Sequence, residues 1–489
     1  MTEPASSPIP AQDAVRDPDA RPSAPPRPGR VLSWVRRRLD LLLIAVPLGV
    51  LVLPLAFGRS FWLRDIIRFL YPMKFYLRER LLRGEVPLWN PRDGLGRPFM
   101  GLLQPGVFDP LGLLLLAPVP HGADLFTAAH LFVAGAGTRA WLRALGHDAR
   151  EASLGGALFA LSGYVVSVLA GNGNYVFGVV LVPWVLALVA KDFTRQEFVA
   201  RSAALALLFA WVLASGDPMA VYFGGACALA QAAGHEGAAP RVRAVVSLAV
   251  ATLIFLPLTA VLWIPAAEVA SVARHGGVPL AEASHFAFHP ARMLEFVWPG
   301  AFGAPHTPGW FVHSLYAEGT GHRREPFASG VYIGLATFPL ATAAVASGRR
   351  RAVDVAFALL ALLALVIAMG LHTPVWAIAY RVVPGARYFR TPEKYLLVTT
   401  LALVPLAMRG LTLAFERPAL ALRVAVGWWL LLLLGAVLVP TLASVVGGGL
   451  RGVPIDAVQA ALQARAWWSV GVATAMVLPF VALSRGKLS

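Results

Sequence analysis

Apolar segments long enough to cross a lipid bilayer recur along this chain. The first is an apolar run of about nineteen residues from Leu39 to Phe57, and a spanning helix needs about 20 predominantly apolar residues. Only 14% of the 489 residues are charged and 57% are hydrophobic, whereas soluble proteins carry roughly a quarter charged residues. The sequence therefore predicts an all-α, polytopic membrane protein.

We predict about twelve transmembrane helices. After the first, they lie near residues 122–142, 152–170, 174–190, 202–216, 218–234, 244–263, 330–347, 353–371, 395–411, 424–441 and 466–484. Residues 1–38 are rich in proline and end in a basic flank. A segment of that composition cannot bury enough surface to fold, so we expect a disordered cytoplasmic tail followed by one membrane domain, 39–489.

The distribution of lysine and arginine predicts which loops face the cytoplasm, because cytoplasmic loops are enriched in these residues. With the N-terminus inside, each predicted inner segment is basic: 143–150, 191–201, 241–243, 349–351, 409–423 and 485–487. Both termini are then cytoplasmic. The long outer loops are 58–109, 264–329 and 372–394, and the first and third are basic against the rule. We expect those two loops to bind an anionic ligand.

The net charge is +16. Basic residues in cytoplasmic loops and beside anionic lipid head groups account for this charge. We therefore expect a lipid bilayer as partner and no nucleic acid. The single cysteine, Cys227, lies in an apolar run, which excludes an internal disulfide. The histidines of the second outer loop show no HExxH or His-x-His pattern. We therefore predict no metal site from motifs, while a divalent cation such as Mg²⁺ or Mn²⁺ stays open.

The first outer loop contains a predicted amphipathic helix over Arg64–Arg83, which we expect to lie along the membrane surface. Its apolar stripe comprises Phe61, Ile66, Phe69, Leu70, Met73, Leu77 and Leu81, and its charged residues are Arg64, Arg68, Lys74, Arg78 and Arg80. Asp65 lies at the start of this helix. It either caps the helix N-terminus or acts as a general base at the mouth of a membrane cavity.

Other polar residues also have two interpretations each. Trp89, in a turn region, is either an interfacial anchor or a platform on which a sugar stacks. Asp217 either caps the helix that follows or supplies a second acid. Arg387, Arg390 and Lys394 precede a span and bind either lipid head groups or the phosphate of a lipid-linked substrate.

Several short motifs occur together in this chain: Arg64-Asp65, Tyr71-Pro72 with Lys74 and Tyr76, Gly84-x-x-Pro87 to Pro91, Gly96-x-Pro98-Phe99, Gln104, Ser215 to Pro218, and Pro384 to Lys394. Together they resemble the pattern of the YfhO family, which belongs to the multi-spanning GT-C glycosyltransferases. The layout of about twelve spans with a long first outer loop is similar as well.

This resemblance implies a bacterial enzyme that transfers a sugar from a polyprenyl-phosphate donor to a glycan or polymer acceptor on the outer face of the cytoplasmic membrane. Asp65 occupies the place of the family's catalytic acid, and direct attack would invert the anomeric configuration. Paired acids in this loop are common in the class, and here it stays open whether Asp65 acts alone or with a second acid such as Asp109 or Asp217. The candidate substrate-binding residues are Arg64, Arg68, Tyr71, Lys74, Trp89, Asn90, Gln104, Asp217, Arg387, Arg390 and Lys394.

Two other functions fit some of these features. A multi-span transporter or lipid flippase of cell-envelope precursors would suit about twelve spans, but the intramembrane charges expected for coupled transport are scarce. A non-enzymatic assembly partner in envelope-polymer synthesis would not depend on Asp65.

Overall fold

The computed structural model describes residues 39–61, 64–117, 121–273, 277–303, 310–316, 326–348, 351–448 and 453–485. The predicted disordered tail, 1–38, lies outside these residues. Parts of the predicted loop 264–329 also lie outside them, as do Arg349 and Arg350 of one predicted inner loop.

The described chain is almost entirely helical, which confirms the all-α class. Its α-helices are Leu42–Ala56, Tyr71–Leu82, His121–Ala144, Ala149–Ala160, Gly163–Asn172, Val182–Ala190, Phe198–Ala214, Met219–Ala233, Ala238–Leu258, Ala260–Ala273, Leu280–Ala283, Thr337–Ala346, Ala352–Ala368, Pro374–Val382, Leu396–Glu416, Pro418–Val437, Val439–Gly448 and Ile455–Ser484. A π-helical turn spans Ile66–Leu70.

Short 3₁₀ turns connect many of these helices: Leu39–Leu41, Met100–Leu102, Pro110–Leu116, Gly173–Tyr175, Val179–Leu181, Pro290–Phe296, Val312–Tyr316, Gly370–His372, Ala386–Tyr388 and Pro392–Tyr395. Within the described ranges the only strands are Trp89–Asn90 and Arg97–Pro98. They pair antiparallel, with Trp89 opposite Pro98 and Asn90 opposite Arg97.

Five helical segments are long and apolar enough to cross a membrane, counted over the described residues: Leu39–Ala56, Ala238–Leu258, Pro392–Glu416, Pro418–Val437 and Ile455–Ser484. A sixth candidate is the pair Ala149–Ala160 and Gly163–Tyr175, which is bent by 42°. Six further apolar helices have 10–17 residues, shorter than a typical span. The membrane class is thus supported, whereas the count of twelve stays a prediction.

One of these spans lies at the centre of the helical assembly. In Pro392–Glu416, 78% of the apolar window is buried, compared with 11–22% in the other four. This helix packs against Thr337–Ala346, Ala352–Ala368 and Ala149–Ala160. The outer helices expose their leucines and valines, as expected of helices that face lipid.

Gly410, in the central helix, allows the closest approach between two of these helices. A Cβ atom at this position would lie 1.9 Å from the carbonyl oxygen of Leu340, in Thr337–Ala346. Small residues let membrane helices approach until their backbones touch, and here only glycine leaves the necessary space.

We expect Gly410→Ala to destabilise the protein by about 3 kcal/mol, because the added methyl group must push two backbones apart. Gly427→Ala is the matched control, since a Cβ there meets nothing within 4 Å and alanine favours the helix by about 1 kcal/mol. Thermal melting in detergent measures both changes. Equal melting temperatures for the two variants would contradict the close approach.

The predicted outer segments contact one another, and so do the predicted inner ones. On one side, Lys394 contacts Asp217, and the Asn172 amide donates to the Phe327 carbonyl at 3.1 Å. On the other side, Thr412 donates to Glu151 at 3.0 Å, and Arg417 donates to the Ser347 carbonyl at 2.9 Å. Each of these contacts joins segments that the charge pattern assigns to the same side. The assignment of the sides stays a prediction.

Candidate functional site

Asp65 lies at an irregular point in the first outer loop. Arg64 has a φ of 47°, and the π-helical turn begins at Ile66. The Asp65 side chain makes no capping hydrogen bond to that turn, so the structure does not support the capping interpretation. Single π-turns are frequent at functional sites. Asp65 is half-buried, a position in which a carboxylate is still accessible to a substrate.

Positive φ values occur beside several predicted site residues. Among described non-glycine residues they are found at Arg64 (47°), Leu103 (61°), Phe286 (58°) and Thr391 (74°). Three of these four are next to Asp65, Gln104 or Arg390. Such conformations are sparsely populated and persist where the surrounding structure imposes them, often at functional sites.

These strained segments meet around Tyr175. The Gln104 amide donates to the Tyr175 hydroxyl at 3.4 Å, and Lys394 Nζ lies 3.7 Å from the centre of the Tyr175 ring. The Tyr175 ring also packs against the Phe327 ring, with ring centres 5.5 Å apart, and Lys394 pairs with Asp217. We call Tyr175, Gln104, Asp217 and Lys394 the Tyr175 cluster. Asp65 follows Arg64, which donates to the Phe327 carbonyl, and Arg390 lies four residues before Lys394. The sequence analysis missed Tyr175, although it follows the predicted outer turn 171–173.

Asp217 and Lys394 form a nearly buried ion pair within the Tyr175 cluster. Lys394 Nζ lies 3.3 Å from Asp217 Oδ2, with the side chains 10% and 6% exposed. Asp217 Oδ1 also accepts from the backbone amide of Met219 at 3.0 Å. The structure thus supports the capping interpretation of Asp217. Because Asp217 already balances the charge of Lys394, this lysine is a weaker candidate for binding an anionic substrate.

Arg387 and Arg390 are both exposed and lie on a segment whose backbone is held in place. The Val278 amide donates to the Arg387 carbonyl at 2.7 Å, and the Thr391 amide donates to the Ala283 carbonyl at 3.1 Å. The Arg390 guanidinium lies 3.8 Å from a Glu282 carboxylate oxygen, a loose and solvent-exposed pair. These two arginines are therefore the cations best placed to receive a phosphate.

A buried ionic network anchors the start of the central helix, and the sequence analysis missed its central residue, Arg292. The Arg292 guanidinium donates to Glu295 at 2.7 Å, to Glu393 at 2.8 Å, to the Tyr316 hydroxyl at 3.0 Å and to the Ala328 carbonyl at 2.7 Å. All four partners are oxygen acceptors, which suits a guanidinium because it carries only N–H donors. Since Glu393 precedes Lys394, the network fixes the position of one side of the Tyr175 cluster.

Segment 326–328 joins this network to the Tyr175 cluster. Glu393 accepts hydrogen bonds from the amides of Phe327 and Ala328, and the Arg64 guanidinium donates to the carbonyls of Pro326 and Phe327. Arg64 is therefore engaged with the backbone of this segment. Its contribution is to position the first loop beside the central helix.

The helix in the first outer loop is packed into the protein more deeply than predicted. Lys74, predicted on the charged face, is only 1% exposed. Its Nζ donates to the Pro105 carbonyl at 2.8 Å and lies 4.1 Å from the Phe126 ring centre. Burial lowers the pKa of Lys74 to about 8, although nearby Asp109 opposes this change. Lys74 thus holds the loop backbone at Pro105 and is shielded from solvent.

Asp109, one of the two candidates for a second acid, is also buried and fully engaged. It accepts from the Leu111 amide at 2.9 Å and from Trp211 Nε1 at 3.1 Å, and lies 3.2 Å from His130 Nε2. Burial alone would raise the pKa of Asp109, but His130 and Lys74 outweigh it and keep the pKa below its ordinary value. This arrangement stabilises the loop, and of Asp65 and Asp109 only Asp65 is accessible.

Three further predicted residues, Arg68, Tyr71 and Asn90, line a second opening, the first-loop pocket, with a volume of about 660 Å³. Its other lining residues are Ile67, Phe69, Pro72, Met73, Phe75, Tyr76, Arg92, Asp93 and Arg97. Asn90 Oδ1 accepts from the Arg92 amide at 3.0 Å and shapes the turn there. Trp89 does not line the pocket and is 51% exposed, which agrees with either interpretation of this residue. Of the predicted site residues, Arg68, Tyr71 and Asn90 thus belong to this pocket, and Gln104, Asp217 and Lys394 to the Tyr175 cluster.

Among the described residues, no group of three or more histidine, cysteine, aspartate or glutamate side chains could hold a metal ion. No protein-family model matches this chain, and no curated protein is significantly similar to it.

Proposed function

We propose that this protein transfers a sugar from a polyprenyl-phosphate donor to a glycan or polymer acceptor at the outer face of the bacterial cytoplasmic membrane. One observation carries the proposal. The segment of Asp65 and the segment of Arg390 come from distant parts of the chain and meet at two packed rings. Arg64, next to Asp65, donates to the Phe327 carbonyl, the Phe327 ring packs on Tyr175, and Lys394, four residues after Arg390, lies 3.7 Å from the Tyr175 ring centre. A base and a phosphate-binding cation are the two groups that this reaction requires.

In the proposed reaction, an acceptor hydroxyl attacks the anomeric carbon and passes its proton to the Asp65 carboxylate. The bond between that carbon and the donor phosphate breaks, and its electron pair leaves with the phosphate. Arg390 and Arg387 stabilise the negative charge that develops on this leaving group. A single displacement inverts the anomeric configuration.

The neutral polar groups of the Tyr175 cluster are suited to binding a sugar. The Gln104 amide and the Tyr175 hydroxyl can hydrogen-bond to sugar hydroxyls. We assign the acceptor to the first-loop pocket, where Tyr71, Tyr76 and Phe75 supply aromatic surface beside Arg68.

The proposal also includes the membrane topology: a GT-C organisation, about twelve spans and two cytoplasmic termini. The contacts among the predicted outer segments support this topology.

The direct test uses the purified full-length protein in lipid nanodiscs with polyprenyl-phosphate sugars and envelope glycans. Mass spectrometry follows loss of the lipid-linked sugar and gain of mass on the acceptor, and the same measurement compares membranes with and without the protein. We expect both changes to require the protein. Movement of the donor across a sealed bilayer without sugar transfer would instead identify a flippase.

Arg390→Ala should raise the apparent KM for the donor by about ten- to a hundredfold, because a hydrogen bond to a charged group contributes about 1.5–3 kcal/mol. Arg381→Ala is a matched control, since Arg381 is an exposed arginine of the same predicted outer segment. Steady-state kinetics with varied donor concentration measures the apparent donor KM of both variants. Equal donor KM values for the two variants would place the phosphate elsewhere.

A further inference from the structure

The buried Arg292 network contains two carboxylates but a single guanidinium. Arg292 lies 2.7 Å from Glu295 and 2.8 Å from Glu393, and the three side chains are 0–3% exposed. Within the described chain, Arg292 is the only cation that pairs with either carboxylate. With both acids ionised, the network would carry one uncompensated negative charge. A buried group in that situation takes up a proton instead, because a dry environment disfavours an unpaired charge.

The two tyrosines at the network do not supply the missing positive charge. The Tyr316 hydroxyl accepts from the Arg292 guanidinium at 3.0 Å and lies 3.4 Å from a Glu393 carboxylate oxygen. Burial raises the pKa of Tyr316, so the phenol keeps its proton. The Tyr164 hydroxyl donates to the backbone carbonyl of Glu393 at 2.9 Å. Both tyrosines are therefore neutral hydrogen-bonding groups.

The neighbouring cations are engaged with other partners. Lys394 pairs with Asp217 at 3.3 Å. Arg64 donates to the backbone carbonyls of Pro326 and Phe327. Neither cation pairs with a carboxylate of the network in the part of the chain that the structure describes. The positive charge that the network lacks is therefore best supplied by a proton.

The hydrogen bonds indicate which of the two acids holds this proton. Glu393 accepts from the backbone amides of residues 327 and 328 at 3.3 Å and 3.2 Å, and also from Arg292 and Tyr316. Among the described residues, Glu295 accepts from Arg292 alone. Hydrogen bonds donated to a carboxylate favour its charged form, so Glu393 is the better site for the negative charge. Burial raises the pKa of Glu295, and Arg292 opposes this effect only in part.

We propose that Glu295 is a proton-binding site and is a neutral carboxylic acid at neutral pH. The network then consists of the ion pair between Arg292 and Glu393, with Glu295 as a neutral partner that still accepts from Arg292 Nε. Ionisation of Glu295 adds a second negative charge beside Glu393, which holds segment 326–328 and precedes Lys394. The proton thus stabilises the anchor of the Tyr175 cluster, and alkaline pH removes it.

A proton bound only in the folded state makes stability depend on pH. Because folding raises the pKa of Glu295, the stabilisation is complete below the pKa of the unfolded chain and is lost as the pH rises through the folded pKa. Glu295→Gln imitates the neutral acid in shape and charge. We expect it to melt like the native protein at neutral pH and to lose less stability than the native protein at alkaline pH. Thermal melting in detergent across this pH range measures both.

Infrared difference spectroscopy of the full-length protein detects the proton directly, because the C=O stretch of a protonated carboxyl is separate from the amide and carboxylate bands. A detergent without ester groups keeps this spectral region clear. At neutral pH, the native spectrum minus that of Glu295→Gln should show the band of a single protonated carboxyl. The native protein should lose this band at alkaline pH.

Glu85→Gln is the control for the infrared measurement, because the Glu85 side chain is 48% exposed and its replacement should leave the band unchanged. A Glu295→Gln spectrum that retains the full band would overturn the proposal. Failure of Glu295→Gln to fold would also contradict it, since glutamine closely resembles the protonated side chain. Neither readout needs sugar transfer, so the result is independent of the proposed enzyme activity.

Discussion

Replacing Asp65 by asparagine should lower sugar transfer by about 10²–10⁴-fold, the usual contribution of a general base. Asparagine has nearly the same shape but cannot accept the proton of the acceptor hydroxyl. We expect kcat and kcat/KM to fall together, because the lost interaction forms only in the transition state. Steady-state assays of donor consumption measure the change.

Glu85→Gln is the matched control for this experiment. Glu85 is an acid of the same loop, 48% exposed and paired with Arg80, and it does not line the first-loop pocket. Thermal melting of Asp65→Asn checks that the variant stays folded, so that a loss of transfer reports on the chemistry. Activity close to the native level in Asp65→Asn would exclude this residue as the base.

Breaking the Arg292 network should give the largest loss of stability. In Arg292→Met, Glu295 and Glu393 lose a shared cation at 2.7 Å and 2.8 Å, and the three side chains are 0–3% exposed. Removing one member of a buried ion pair costs about 3–5 kcal/mol, because the remaining charge stays in a dry environment. Thermal melting in detergent, or unfolding in mixed micelles, measures this loss.

The appropriate control is an ion pair of similar length at the surface. Arg243 and Asp192 lie 2.7 Å apart with side chains 35% and 58% exposed, so Asp192→Asn should cost under about 1 kcal/mol. Adding Glu295→Gln and Glu393→Gln to Arg292→Met should recover part of the loss, because no unpaired carboxylate is left. Similar melting temperatures for Arg292→Met and Asp192→Asn would show that the network contributes little.

The helix of the first loop shows how far periodicity alone can predict the structure. The predicted stripe residues Ile66, Leu70, Met73 and Leu77 are all buried, as expected from helical spacing. Lys74 was wrongly expected on the solvated face. Periodicity identifies which side chains share a face, but it does not show that aromatic rings and a backbone carbonyl from other segments would enclose an adjacent charge.

The number of spans illustrates a second limit. Hydropathy locates apolar segments reliably, yet the predicted span 174–190 consists of short 3₁₀ turns followed by the nine-residue helix Val182–Ala190. Burial within the protein allows such irregular backbone at membrane depth. A hydropathy profile does not distinguish an apolar residue that faces lipid from one that faces another helix.

The sequence by itself determined the helical membrane class and most of the candidate polar residues, because these depend on local composition and charge. Only the tertiary structure brought Gln104 and Lys394 to Tyr175 and paired Arg292 with Glu393 across 101 residues. These features depend on contacts between segments distant in sequence. Such contacts are set by how helices pack in three dimensions, and no local pattern encodes them.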